Sequence, residues 1–321
     1  MAHASDDSGM GDAADDRLRY LAAKGPVDDR ARNRRVEKRL VEELRDRADL
    51  SVLSVGAGLG NALDRLLSLP LSIDEYVAVD ADPAVVAAAR QRVPRRLGTA
   101  GFEVSDRDPL RVRRDGRETT VRFETDDAFA FAADNRSRFD LLVGQSFADL
   151  VGAERALAEL TAALAPGGYW YFPITFDAGT VFRPALDRSL DDAVERGYHE
   201  HMDRIRDGEG CSRAGRNLLD AARRRDDHTL LAAGGSDWVV RPRDERATSH
   251  ADGDGPRDSA YPNDEAYFLR RIVGFVDAAL AEHPAVDDAD RERWVRRRRE
   301  QVDAGELTSV ARQIDAFGRA E

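Results

Sequence analysis

Leu50-Ser51-Val52-Leu53-Ser54-Val55-Gly56-Ala57-Gly58-Leu59-Gly60-Asn61 reads as a strand, a glycine turn and a helix start. The apolar run is short and bounded by glycines, as expected of a buried strand. Glycines let the backbone turn sharply and let a ligand lie against it without Cβ clashes. Their spacing is informative. Dinucleotide binders use G-x-G-x-x-G, with a helix N-terminus aimed at a pyrophosphate. Here the spacing is G-x-G-x-G, which suits a ligand without pyrophosphate.

Outward from this turn, strands and helices alternate. A helix is expected over 62–69, a strand over 76–80 and a helix over 83–92, with Pro83 at an early helical position. A strand over 119–125 follows a hairpin at Asp115-Gly116, and the next strand is Phe139–Val143. A helix over 153–164 is stopped by Pro166-Gly167-Gly168, and a fifth strand covers 169–174. This rhythm predicts βαβ units: a Rossmann-like α/β fold, a seven-stranded, mostly parallel sheet with helices on both faces plus helical insertions.

Carboxylates sit where such sheets bind ligands, at the carboxyl ends of strands. Asp80 ends the second strand, where it can accept hydrogen bonds from two ribose hydroxyls. Asp127-Ala128 ends the third, where an acid can take the exocyclic amine of adenine, with Asp126 as the other candidate. Gln145-Ser146-Phe147 follows the fourth.

Over residues 50–175 this set resembles the class I S-adenosylmethionine-dependent methyltransferases. The resemblance implies S-adenosyl-L-methionine as cofactor and Ser54, Gly56, Ala57, Gly58, Gly60, Asp80, Ala81, Asp127, Ala128 and Gln145 as its contacts. The glycine turn would pack on the methionine part, Asp80 would hold the ribose, and Asp127 the adenine. One position departs: the family often has an acid two residues before the first glycine, where Ser54 stands. The Asn-Pro-Pro-Tyr of adenine or glutamine amine methylation and the Pro-Cys of cytosine C5 chemistry are both missing, so base methylation is disfavoured.

Composition narrows the classes further. Of 321 residues, 61 are Asp or Glu against 49 Lys or Arg, a formal net charge of −12. Lysine occurs only at Lys24 and Lys38. Short carboxylates and few lysine stems are similar to the composition of proteins of salt-loving archaea, in which screening is nearly complete and loose binding to nucleic acid is weak. The Arg296-Arg297-Arg298-Arg299 run sits among acids and reads as a solvated helix face. No apolar stretch approaches the ~18 residues of a membrane span. The single Cys211 excludes an intramolecular disulfide framework and a Cys-cluster zinc site, and no metal is expected. Residues 1–16 read as a disordered acidic tail without a secretory h-region, so a cytoplasmic chain is expected.

Residues 17–48 read as one or two helices interrupted at Gly25-Pro26, and 49–321 as the methyltransferase domain, with insertions at 175–235 and 241–305. Within these, helices are expected over 184–206, 212–225, 264–282 and 287–303, a loop over 241–258, and the last two strands over 236–240 and 307–317. In small-molecule members of the family, insertions there cover the substrate. Gln145, Ser146 and Phe176 then form a floor, and Tyr20, Tyr198 and His199 a roof. Tyr198, His199 and His201 are the candidates for a catalytic base. The plainer account is surface histidines on a helix, and their i, i+2 spacing argues against a metal pair. The expectation is methyl transfer to oxygen or nitrogen of a small-molecule substrate, without nucleic acid or membrane partners; a dimer is favoured if the chain self-associates. A protein or RNA acceptor, or a cofactor-binding scaffold without chemistry, is the alternative. An aminopropyltransferase would need paired acids that are missing.

Overall fold

The expected strand Leu50–Val55 (β1) runs through the middle of a ten-stranded sheet. This computed structural model describes residues 8–105, 107–205, 211–243, 260–281, 283–284 and 286–321. The other strands are β2 (Ile73–Asp80), β3 (Glu103–Val104), β4 (Leu110–Arg114), β5 (Arg117–Thr125), β6 (Phe139–Val143), β7 (Leu164–Arg183), β8 (His228–Gly235), β9 (Trp238–Val240) and β10 (Thr308–Ala320). Their order is β3-β4-β5-β2-β1-β6-β7-β10-β8, with β9 paired to β10. β5, β2, β1, β6 and β7 are parallel, while β10 runs antiparallel between β7 and β8. The expected seven-stranded core is therefore present, and the β3–β4 hairpin and β9 extend it to ten strands.

Three apolar clusters organise the helices. On one face, α2 (Arg34–Leu44), α3 (Asn61–Leu67) and α4 (Pro83–Thr99) bring Leu40, Leu63 and Val93 onto the sheet. On the other, α5 (Ala128–Asp134), the 148–163 segment and α9 (Ala214–Arg224) cover Leu142, Trp170 and Phe172. The third lies beyond the sheet. β7 and β10 continue as an antiparallel ribbon through Arg183 and Thr308, and β9 joins it. Onto it pack α1 (Ser8–Ala31), α8 (Arg188–Arg204), α10 (Glu265–Leu280) and α11 (Asp288–Asp303), with Val27, Phe182, Val194, Phe268 and Trp294 buried. Each such side chain contributes about 1.5–3 kcal/mol by leaving water.

Several expectations need correction. Helix α1 starts at Ser8, inside the stretch read as a tail, while residues 1–7 lie outside the described ones. It also passes straight through Gly25-Pro26. A Cβ on Gly25 would meet the Asn61 amide at 2.9 Å, so the glycine serves close approach of two helices instead of a break. The break comes at Asn33, whose side chain accepts from the amides of Arg35 and Val36 and caps α2. Helix α4 continues past Arg92 through Pro94 to Thr99, because Val93 and Leu97 are buried in the core. The helix expected over 153–164 is split into α6 (Ala148–Val151), α7 (Ala153–Arg155), a π-helical turn (Ala156–Leu160) and a 3-10 turn (Thr161–Ala163). The sixth core strand is β8, which sequence reading left inside the 175–235 insertion. Trp238 lies in the short β9. The first insertion is thus shorter than 175–235, since its start belongs to β7 and its end to β8, while 241–305 falls between β9 and β10. The expected loop over 241–258 lies outside the described residues from 244 onward.

Candidate functional site

The glycine turn takes three left-handed conformations in five residues, with φ of +55° at Gly56, +54° at Gly58 and +79° at Gly60. L side chains rarely adopt this region, which is why glycine recurs. The three glycines face different surroundings. A Cβ on Gly56 would strike the Phe147 ring at 2.3 Å, and one on Gly60 would meet Val93 at 2.8 Å. Gly58 faces open space, with the Gly56 carbonyl its nearest neighbour at 4.0 Å. A ligand can approach the backbone there.

Asp80 holds this turn. Its Oδ2 accepts from the Gly58 amide at 2.9 Å and its Oδ1 from the Asp82 amide at 3.1 Å. Each carboxylate oxygen retains a further lone pair, so two hydroxyls can still be accepted. From the outer side, Arg96 donates to the Leu59 carbonyl at 3.0 Å and to Asn61 Oδ1 at 3.2 Å, and pairs with Asp64. Asp127 caps α5: its Oδ1 accepts from the amides of Phe129 and Ala130. Asp126 Oδ1 accepts from the Asp127 amide. Both acids are exposed. Ala81, between Asp80 and Asp82, is exposed, and Ala128, the first residue of α5, is buried. Ala57 is anchored by its amide to the Val79 carbonyl at 3.0 Å. Ser54 is 1% exposed, below the turn and beside the Tyr76 hydroxyl, whose pKa burial pushes up.

Helix α1 forms the cover. Lys24 and Asp28 in α1 and Arg32 just past its end, whose amide still bonds the Asp28 carbonyl at 3.1 Å, repeat every four residues, so they share one face. Asp28, 1% exposed, accepts on Oδ2 from Lys24 Nζ at 2.6 Å and from Gln145 Nε2 at 2.7 Å, and on Oδ1 from Trp238 Nε1 at 2.9 Å. Lys24 also donates to Ser146 Oγ at 2.9 Å. Arg32 donates to Gln145 Oε1 at 2.8 Å and to the Asn61 carbonyl at 3.4 Å, with its Nε buried and unpartnered. One helix thus spans the carboxyl ends of β1 and β6. Sequence reading chose Gln145 and missed Lys24, Asp28 and Arg32; their i, i+4, i+8 spacing among apolar residues was the available signal.

The hinge after this helix is pinned to the far side of the sheet. Asp315, in the middle of β10 and fully buried, accepts on Oδ2 from the Asn33 amide at 2.9 Å and on Oδ1 from the Ile174 amide at 2.8 Å. Burial pushes its carboxyl above the usual range, and these amides pull it back. Ile174 and Ser146 both have positive φ, +57° and +49°. For a β-branched residue that conformation costs about 1–3 kcal/mol, and such strain concentrates at functional positions.

Burial and ring contacts place the candidate bases on α8. The His199 ring meets Phe176 edge-on at 5.5 Å, and its Nε2 lies 3.1 Å from Thr180 Oγ1. Tyr198 lines a cavity of about 90 Å³ with Thr180, Glu195 and Trp294. Tyr20 stacks on Phe268 at 5.7 Å; burial raises its hydroxyl pKa, and the neighbouring Tyr198 and Asp28 raise it further. His201 lies outward, 3.2 Å from Arg204. Burial holds the His199 pKa below its ordinary 6.5, partly offset by Glu195 and Asp203. The unfolded chain therefore takes a proton near 6.5 that the folded chain resists, so the stability tied to His199 is full above that pH and declines as the pH falls below it. The drop in melting temperature between about pH 7.5 and about pH 5.5 is expected to shrink in His199→Gln; an equal drop in both proteins means that the ring titrates as in the unfolded chain.

Among the described residues, no group of three His, Cys, Asp or Glu side chains is placed to hold a metal ion, and no helix is long and apolar enough to cross a membrane. No protein-family model and no curated protein matches the chain. Solved structures do. A SAM-dependent methyltransferase from Thiobacillus denitrificans, in complex with S-adenosyl-L-homocysteine, is 15% identical over 91% of this chain and 93% of its own, with a TM-score of 0.43. A cyclopropane synthase from Mycobacterium tuberculosis is 10% identical over 89% and 82%, with a TM-score of 0.41. The cyclase SpnF is 14% identical over 89% and 80%, with a TM-score of 0.39. At these values the cleft residues, not the likeness, decide what is bound. The chain is a Rossmann-like α/β protein whose carboxyl-end cleft is walled by a glycine turn and Asp80 and covered by its own helix α1.

Proposed function

We propose that the chain is an S-adenosyl-L-methionine-dependent methyltransferase acting on a small metabolite. The observation that carries this reading is the coupling of Asp80 to the glycine turn: the same carboxylate that fixes Gly58 stands ready for a vicinal diol beside open backbone. The residues fit the cofactor at both ends. Asp127 follows the neighbouring strand for an adenine amine. At the other end the buried Arg32 keeps an unpartnered Nε beside Gln145 and Asn61, suited to a carboxylate. When bound, the cofactor supplies a sulfonium methyl for in-line displacement. The chain's part is to orient and to exclude water: Asp80 and Gly58 set the cofactor's place, and α1 closes the cleft above Gln145 and Ser146. That close cover favours a small acceptor over a macromolecule. His199, whose pKa burial lowers, stands with Tyr198 on α8 as a candidate base for acceptors that need one there.

Calorimetry tests the cofactor. S-Adenosylmethionine and S-adenosylhomocysteine are expected to bind with dissociation constants between roughly micromolar and submillimolar, about −8 to −5 kcal/mol. Heat with NAD but with neither of these ligands overturns the proposal.

A further inference from the structure

The polar cluster under α1 has the makings of a cation site. Asp28 is a buried carboxylate, Ser146 offers a hydroxyl acceptor, and Trp238 presents an indole face. Such a set selects an ammonium: charge-assisted hydrogen bonds on one side and a ring quadrupole on the other. An ammonium already occupies it. Lys24 Nζ sits 2.6 Å from Asp28, 2.9 Å from Ser146 and 5.2 Å from the Trp238 ring centroid. Its place is equally telling. Ser146 is the second residue after the start of the β6 turn, and the next residue, Phe147, lies against Gly56. The ammonium therefore stands over the end of β6, beside the glycine turn, where the acceptor atom of a transferred methyl has to be.

We propose that this cluster is the acceptor subsite, that the acceptor is a primary or secondary amine, and that Lys24 is its internal stand-in. The proposal deepens the methyltransferase reading and rests on it for the chemistry, though not for the binding. Lys24 is 13% exposed against 1% for Asp28, so its flexible stem reaches the rim and can swing out while α1 stays in place. The incoming ammonium replaces it on Asp28. One proton passes from nitrogen to the Asp28 carboxylate, freeing the lone pair. That pair forms the N–C bond as the C–S bond breaks, and the sulfur keeps the bonding electrons. The sulfonium becomes a thioether, the amine leaves as its methylammonium, and Asp28 returns its proton to water as the product departs. Gln145 and Trp238, which donate to the same carboxylate, hold it in position throughout.

The binding test needs no cofactor. In Lys24→Ala the missing atoms correspond to n-propylammonium. Adding n-propylammonium chloride is expected to raise the melting temperature of Lys24→Ala by roughly 2 °C at about ten times its dissociation constant, relative to equal KCl and to n-propanol. The wild type, in which Lys24 competes for Asp28, should respond less than Lys24→Ala, and the Lys24→Ala/Asp28→Asn double variant should not respond beyond KCl. No rise in Lys24→Ala, or an equal rise in all three, overturns the ammonium site. If Lys24→Ala is unfolded in buffer, circular dichroism replaces melting. Folding on addition of the amine supports the site; a variant that stays unfolded with the amine while the double variant is folded overturns it. The transfer arm uses wild-type protein with methyl-labelled S-adenosylmethionine, whose label is expected on primary amines. Label on a phenol alone overturns the amine assignment and leaves the methyltransferase standing. Failure to bind the cofactor overturns the methyltransferase while amine rescue still stands.

Discussion

Asp80→Ala is expected to raise the dissociation constant for S-adenosylhomocysteine by about 30- to 900-fold, or about 2–4 kcal/mol. Two losses combine. The ribose diol loses an ionised acceptor, and the Gly58 and Asp82 amides lose the partner that shapes the turn. Asp80→Asn separates them, because it keeps one acceptor oxygen; its affinity should fall between the wild type and Asp80→Ala. Titration calorimetry on variants with wild-type circular dichroism reads the difference. An unchanged constant in folded Asp80→Ala places the ribose elsewhere.

Arg32→Met is expected to weaken S-adenosylhomocysteine by about 10- to 150-fold, the range of a hydrogen-bonded charge pair of about 1.5–3 kcal/mol. Arg32 is 4% exposed; its Nε has no partner among the described residues, and its other end donates to Gln145 and lies 3.4 Å from Asp29 Oδ1. Methionine keeps the apolar stem and removes the charge. Methylthioadenosine, which has the nucleoside and no carboxylate, provides the contrast: its affinity should change less than threefold. Equal losses for both ligands would mean that Arg32 supports the cleft walls and touches no carboxylate.

What could be read in the sequence was local. The turn at Gly56–Gly60, the acid ending β2 and the hairpin at Asp115-Gly116 are each fixed by a few neighbouring residues whose backbone needs are specific. At Asp127 the sequence suggested only a ligand contact; the cap that closes α5 is a finding of the structure. The cover was not legible, because its bonds join distant segments: Asp28 and Gln145 are 117 residues apart, and Asp28 and Trp238 are 210. Nor was β8. His228–Gly235 is rich in alanine and glycine and only partly buried, so neither β propensity nor apolar alternation marks it. The length of β7 was hidden for a third reason. Its outer half pairs with β10 across two register shifts, and a tertiary partner, not the intrinsic preference of Asp177-Ala178-Gly179, keeps it extended.

The bond between the Asn33 amide and Asp315 joins positions 282 residues apart. The strands beneath are closed by long spans of their own, Val52 against Leu141 and Ile314 against Thr175. The cost of closing a loop grows only slowly with its length, so the reach of 282 residues does not by itself make the joint weak. Asn33 is a double anchor: its side chain caps α2 while its amide is held by a carboxylate buried in the sheet, so the end of α1 is a fixed post rather than a free flap.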